Sequence, residues 1–394
     1  MFPKTILIVA AALLSLGYLS WMGEGKWVVR AEDPIPTIPV RQGSRMCCAF
    51  GKNLSAKFAG IPVPFVRVSR VANPEGLGPH RYDAPFGALD DERGNAFPFG
   101  ERNALIYTCR GGFIDTAHLR EPADWVSYFI AEFDRHLEGG AALELPEEGA
   151  SRRVILRAVP SKLIERNGRD EVIIAMAQWT AFQLSIWHEV IQWYGVSLLS
   201  AFPETASGFS PEDTYSNAVG LRLMDGIDFR THLASEKAYN RFLDDLLIEG
   251  LMALDPVPKE LGNEIVDALD QVWWDSQLRL PERSVVLRRY LDIGTDLLPW
   301  LLPDQYATAS LRANLEKECG ANPKPQRVQI LEALDGFAFR DYLTLEFAMD
   351  GALAETPAFP ALGARLTQDD FPKIMEAVRE ENRRMYGPRA DRPD

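Results

Sequence analysis

The sequence predicts an α+β protein, mostly helical, built around one central buried helix that carries His188-Glu189, with a small number of strands. Three observations predict it. The run DEVIIAMAQWTAFQLSIWHEVIQWYGVSLLSAF (170–202) is apolar on nearly every face, the pattern of a central helix. From about 211 to 318, apolar residues recur at helical spacing. Short apolar runs such as IPVPFVRV, LIYTC and RVILRAV, bounded by Gly, Pro and Asn, read as strands.

Taken in order, the chain opens with MFPK and the 17-residue uncharged run TILIVAAALLSLGYLSW (5–21), the two parts of an export signal. Val29-Arg30-Ala31 offers a cleavage site before Glu32, and an uncleaved anchor stays open, although the run is short for a bilayer span. Residues 1–31 are therefore expected to be a signal peptide or membrane anchor, and 32–46 a Pro-rich extended lead-in. Residues 47–390 are expected to form a single large domain. CCAFG (47–51) to about Phe99 reads as strands and loops, LIYTC (105–109) as a buried strand, and RGG (110–112) as its turn.

A helix follows, with Pro122 in its first turn and Gly139-Gly140 at its end. Trp125, Phe129 and Phe133 recur along it at helical spacing. RVILRAV (153–159) is a strand, 170–202 one long helix, and 211–318 a series of amphipathic helices. QRVQILEAL and FRDYLTLEFAM return to strands before a charged helix near 368–386.

A formal net charge of −14, with no compact Lys/Arg run to offset it, excludes nucleic acid as an expected partner. Cys47, Cys48, Cys109 and Cys319 lie in the part expected to be exported, where thiols oxidise. Two disulfides, or one and a reduced pair, are expected. A Cys109 nucleophile served by His80 or His118 is the sharper alternative.

WHEVIQWYG (187–195) begins like the zinc-protease signature H-E-x-x-H, but Gln192 stands where the second histidine belongs. A histidine there binds the cation, and the neighbouring carboxylate takes a proton from bound water. The plain alternative is a buried, hydrogen-bonded His188 with Glu189 paired to an arginine. In FSPEDTYSN (209–217), Ser210 reads as an N-cap, Pro211 as the first helical residue, and Glu212 or Asp213 as a third ligand. Capping chemistry alone also accounts for them.

In IDTAHLR (114–120), Asp115 and His118 are three apart and share a helical face, so His118 can replace the missing histidine. Arg110 and Arg120 flank them. Of the five histidines, His80 is the other candidate ligand, while His136 and His232 fall on polar faces.

Together CCAFG, LGPHRY (77–82), YTCRGGFIDTAHLR (107–120), WHEVIQWYG and FSPEDTYSN resemble an uncharacterised family of exported Gram-negative envelope proteins, a domain of unknown function. The resemblance spans nearly the whole chain after residue 45 and implies location and membership, not a reaction. Several members of that family are lipoproteins, and this chain lacks their early lipidated cysteine.

The expected function is an exported, periplasmic or membrane-anchored metal-dependent hydrolase, with zinc as the metal, that cleaves an amide bond of peptidoglycan peptide or protein. His118 and His188 would bind the zinc with Glu212 or Asp213. Glu189 would be the general base, and Tyr194 or Arg120 would stabilise the oxyanion. Membrane contact would come through an uncleaved N-terminal segment. The alternative is a non-catalytic envelope structural or binding protein whose polar motifs form a buried network.

Overall fold

The computed structural model describes residues 27–28, 35–45, 50–52, 54–58, 61–67, 70–84, 101–195, 204–349, 351–356, 359–360 and 362–394. The export signal, Cys47 and Cys48 lie outside the described residues. Among those described, no helix is long and apolar enough to cross a membrane.

The fold is α+β. β1 (Ser55–Phe58) and β2 (Ile61–Arg67) pair antiparallel, as do β3 (Leu105–Thr108) and β4 (Gly112–Asp115). The second hairpin runs straight into α1 (Thr116–His136), and Asp115 caps that helix by accepting the Ala117 N–H. The helix thus begins six residues before Pro122, which lies inside it and not in its first turn. A proline there has no N–H for the carbonyl of His118, one turn earlier. The side-chain cap outweighs proline as a start signal.

The central helix is α3 (Arg169–Trp193), preceded by short α2 (Ser161–Asn167); β5 (Ala141–Leu145) and β6 (Ser151–Leu156) lie between α1 and α2. From Val172 to Trp193 every α3 side chain but the half-buried Ser185 is buried. The helix stops nine residues short of Phe202, because Tyr194 leaves helical geometry and Gly195 turns at φ +85°. Residues 196–203 lie outside the described part.

Beyond it come α4 (Asp213–Arg222), α5 (Phe229–His232), α6 (Glu236–Ala253) and α7 (Lys259–Ala268). The segment 269–308, expected to be helical, is largely turns and extended chain, with β7 (Asp296–Leu297) near its end. After α8 (Ala309–Cys319), QRVQILEAL yields only the two-residue strands β8 (Val328–Gln329) and β9 (Ala333–Leu334), with β10 (Phe337–Ala338) following. β11 (Leu343–Ala348), β12 (Arg365–Thr367) and α9 (Phe371–Tyr386) complete the fold.

One antiparallel sheet of order β12-β11-β6-β5 backs the central helix. Along β6 the side chains of Arg152, Val154 and Leu156 are buried, and along β11 those of Leu343, Leu345 and Phe347, the period-2 pattern of a sheet with one covered face. Trp187 of α3 stacks on Phe347 with ring centroids 4.1 Å apart. On its other side α3 meets α1 and α4. A second core gathers Phe50, Phe113, Trp273 and Trp274 beside α7.

Gly220 lets α1 and α4 approach closely: a Cβ there would lie 2.4 Å from the Leu119 carbonyl oxygen. Gly220→Ala is expected to destabilise the chain by about 1–3 kcal/mol in urea unfolding, since backbone must move to admit the methyl.

A disulfide joins Cys109, at the β3–β4 turn, to Cys319 at the end of α8. It closes the reading of Cys109 as a nucleophile. The bridge spans 210 residues of sequence. Replacing both cysteines by serine is expected to lower stability by about 2–5 kcal/mol, read from urea titrations without reductant.

Candidate metal centre

The β3–β4 hairpin fixes the first turn of α1, and a tight turn at 204–212 fixes the first turn of α4. These two turns face each other across the buried end of α3. The Asp115 N–H donates to Ser216 Oγ at 3.0 Å and ties them together. Asp115, His118 and Asp213 each place one ligand-type atom within 4.8 Å of the others, all buried. His118 Nε2 lies 3.4 Å from Asp213 Oδ1. Its Nδ1 lies 3.0 Å from Asn217 Oδ1, which orients the ring from the far side. Metal-binding histidines are commonly held this way.

Glu189 enters from α3. Its Oε2 accepts the Phe209 N–H at 2.6 Å, and its Oε1 lies 3.7 Å from His118 Nδ1. Asp213 Oδ2 accepts the Ser210 N–H, and Glu212 Oε2 accepts the Ser210 hydroxyl. Each of these three carboxylates keeps one buried oxygen that accepts no hydrogen bond: Glu189 Oε1, Glu212 Oε1 and Asp213 Oδ1. Burial, then the charge of Asp213, pushes the Glu189 carboxyl up to about 7. Burial and Asp115 push Asp213 well above the carboxylate range, while burial, Asp213 and Asp115 do the same for Glu212. Such a group of buried acids with unused oxygens suits a divalent cation, which inverts these shifts. The donor set, one imidazole with carboxylates, is compatible with zinc and with harder divalent ions.

The other predicted site residues lie elsewhere. His188 turns to Glu148, with Nδ1 2.7 Å from Oε1, and its ring centroid is 6.3 Å from that of His118. Glu148 also accepts the Ser44 hydroxyl and pairs with Arg152. Burial raises the Glu148 carboxyl, but Arg152 and His188 outweigh it and bring it down to about 2. His80 sits 3.0 Å from both Glu101 and Asp124, inside a network with Arg41 and Arg45. Arg120 belongs there too, donating to the Gly78 carbonyl and lying 3.4 Å from Glu101. Tyr194, the C-cap of α3, packs edge-on against Phe359, with its phenol near Glu381 and Arg283.

Sequence reasoning assigned no role to Asn217, Glu148, Arg152 or Ser44. Asn217 carried a usable signal, one helical turn after Asp213. Glu148 carried none, because its partner in space is forty residues away.

Fold and site together define an α+β protein with a buried His/Asp constellation able to hold a metal ion. The chain belongs to the family described as protein of unknown function (DUF4056), which matches residues 35–303 and so contains the whole constellation. No curated protein and no solved structure matches it.

The His188–Glu148 pair makes stability depend on pH. Burial opposes the imidazolium, but Glu148 more than offsets this and raises His188 from 6.5 to about 10. A raised histidine stabilises fully below its unfolded value, and the gain is lost as pH climbs through its folded value. Glu148, depressed from 4.5 to about 2, contributes fully above 4.5 and loses its contribution toward 2. The difference in unfolding free energy between the wild type and His188→Gln, measured in urea with EDTA, should therefore be greatest between 4.5 and 6.5. Toward pH 10 it should shrink by up to about 1.4 kcal/mol per pH unit.

Proposed function

We propose that the protein is an exported metal-dependent hydrolase that cleaves an amide bond of an envelope substrate, a peptidoglycan peptide or a protein. The observation that carries the reading is the buried meeting of Asp115, His118 and Asp213 within 4.8 Å, beside unused carboxylate oxygens on Asp213 and Glu189. The apolar run at residues 5–21 supports export, and the location supports the choice of substrate.

In this reading Asp115, His118 Nε2 and Asp213 hold the cation, zinc in the first instance. The cation would lower the pKa of a water and polarise the amide carbonyl. Asn217 holds His118 in the tautomer that leaves Nε2 for the metal side. Glu189, fixed through Oε2 by the Phe209 N–H, keeps Oε1 without a hydrogen bond and serves as the proton acceptor. His188 is not a ligand here; it lines the pocket beside His118.

A second reading, a non-catalytic envelope binding protein, is favoured by the network around Asp124. There Arg41, Arg45 and His80 lie within ion-pair distance of the buried Asp124 carboxylate, a network closed on itself.

The test is metal content by mass spectrometry on protein exported without a histidine tag. Wild type and Glu189→Gln should hold about one divalent ion per chain, whereas Asp115→Asn, His118→Ala and Asp213→Asn should hold almost none. Glu189→Gln should lose at least ~100-fold in amide hydrolysis while keeping its metal. Metal-free, correctly folded wild type that gains none from added zinc would sink the hydrolase.

A further inference from the structure

The chain is fastened to the body well upstream of its proline-rich lead-in. Trp27 packs against the main core: its ring stacks on Tyr239 of α6 with centroids 5.7 Å apart, and meets Tyr82 edge-on at 5.5 Å. Val28 exchanges two backbone hydrogen bonds with Thr37, at 3.0 and 2.8 Å. Thr37 lies in a segment that is itself held. Arg135 donates to the Ile35 and Pro36 carbonyls, the Tyr82 hydroxyl donates to the Pro39 carbonyl, and Arg41 pairs with Asp124. With Trp27 in place the two rings beneath it are buried, Tyr82 6% and Tyr239 0% exposed, and the Tyr239 hydroxyl donates to Asp124.

An export segment that is removed takes no part in the core it leaves behind. We propose that Trp27 and Val28 belong to the finished protein, so that export does not cut the Ala31–Glu32 bond and the body begins at or before Trp27. A cut there would free both residues from the chain, uncovering Tyr82 and Tyr239 and taking the Val28 partner from the Thr37 backbone. The sequence agrees. An export cleavage site closes the apolar run, whereas Glu24, Lys26 and Arg30 stand between that run and Ala31. Gly23 and Gly25, small residues at the spacing of a cleavage site, come directly after the run and before Trp27. Whatever the chain keeps before Trp27 therefore joins the body beside Tyr82 and Tyr239. From there the same strap runs on to Ser44, whose hydroxyl donates to Glu148, the partner of His188. The inference uses only the export part of the proposed function and nothing of the metal or the hydrolysis.

The test reads the N-terminus of the untagged protein recovered from its export compartment, by intact mass and terminal-peptide mapping. A chain that starts at Lys26, or earlier with the apolar run retained, is expected; one that starts at Glu32, or anywhere past Trp27, overturns the proposal. Urea unfolding of the recovered protein gives a second reading. Trp27→Ala is expected to lower the midpoint by roughly 0.5 M. Val28→Ala, at a side chain 49% exposed, should leave it within about 0.1 M. A Trp27→Ala midpoint equal to that of the wild type overturns the proposal as well. An uncut chain found in the cytoplasm, with the Trp27 effect present, would keep Trp27 in the body and remove the export reading instead.

Discussion

The close approach of α1 to α4 is the constraint on which the rest of the site depends. Without a side chain at Gly220, the backbone of α4 reaches the Leu119 carbonyl, next to His118. That contact joins the last turn of α4 to the first turn of α1, on helices whose first turns carry Asp115 and His118 on one and Asp213 and Asn217 on the other. The hydrogen bond from the Asp115 N–H to Ser216 holds the same junction from the polar side. α3, apolar all round, then closes the space and excludes water from it. Burial makes each carboxylate there costly unless something compensates it.

Two buried sets of acids in the molecule show opposite solutions to that cost. Around Asp124 and Glu101 the two carboxylates are compensated by cations within the protein. Burial alone would raise both carboxyls, but Arg45 and its neighbours hold them well below the usual range. Arg41 and Arg45 come from the lead-in at 35–45, so this cluster also fastens that segment to α1. Around His118 the acids outnumber the cations, and three oxygens accept no hydrogen bond. The first arrangement is what a structural network requires. The second leaves charge for an ion to satisfy, which is why the two clusters are assigned different roles although both are buried and polar.

The sequence made the fold class and the central helix legible, because an all-apolar run of that length has few other uses. The pair Asp115 and His118 was legible for the same kind of reason: local spacing places both on one face. Helix limits were less so, since Pro122 was read as a start signal while the Asp115 side chain supplied the stronger cap. Glu148 and Arg152 could not be found, because their meaning comes from strand pairing and from α3, not from their neighbours in the chain. The choice between Glu212 and Asp213 was also beyond spacing. Both lie at the start of α4, and only Asp213 is turned to within 4.8 Å of His118 and Asp115.

The departure at Gln192 follows from helix geometry. Successive residues on a helix are rotated by about 100°, and here that rotation sends His188 to Glu148 and Glu189 to the Phe209 N–H. In a protease helix a histidine one turn on would complete the His188 face. Here that face is committed: His188 meets Glu148, and the Gln192 amide donates to Glu204. The Glu189 face is the one turned toward α1 and α4, and the histidine it meets is His118, from a different helix. A second histidine at 192 would therefore add a ligand on the wrong side of α3. The incomplete signature goes with a cluster whose ligand-type groups come from α1 and α4, with the carboxylate of Glu189 reaching it from α3.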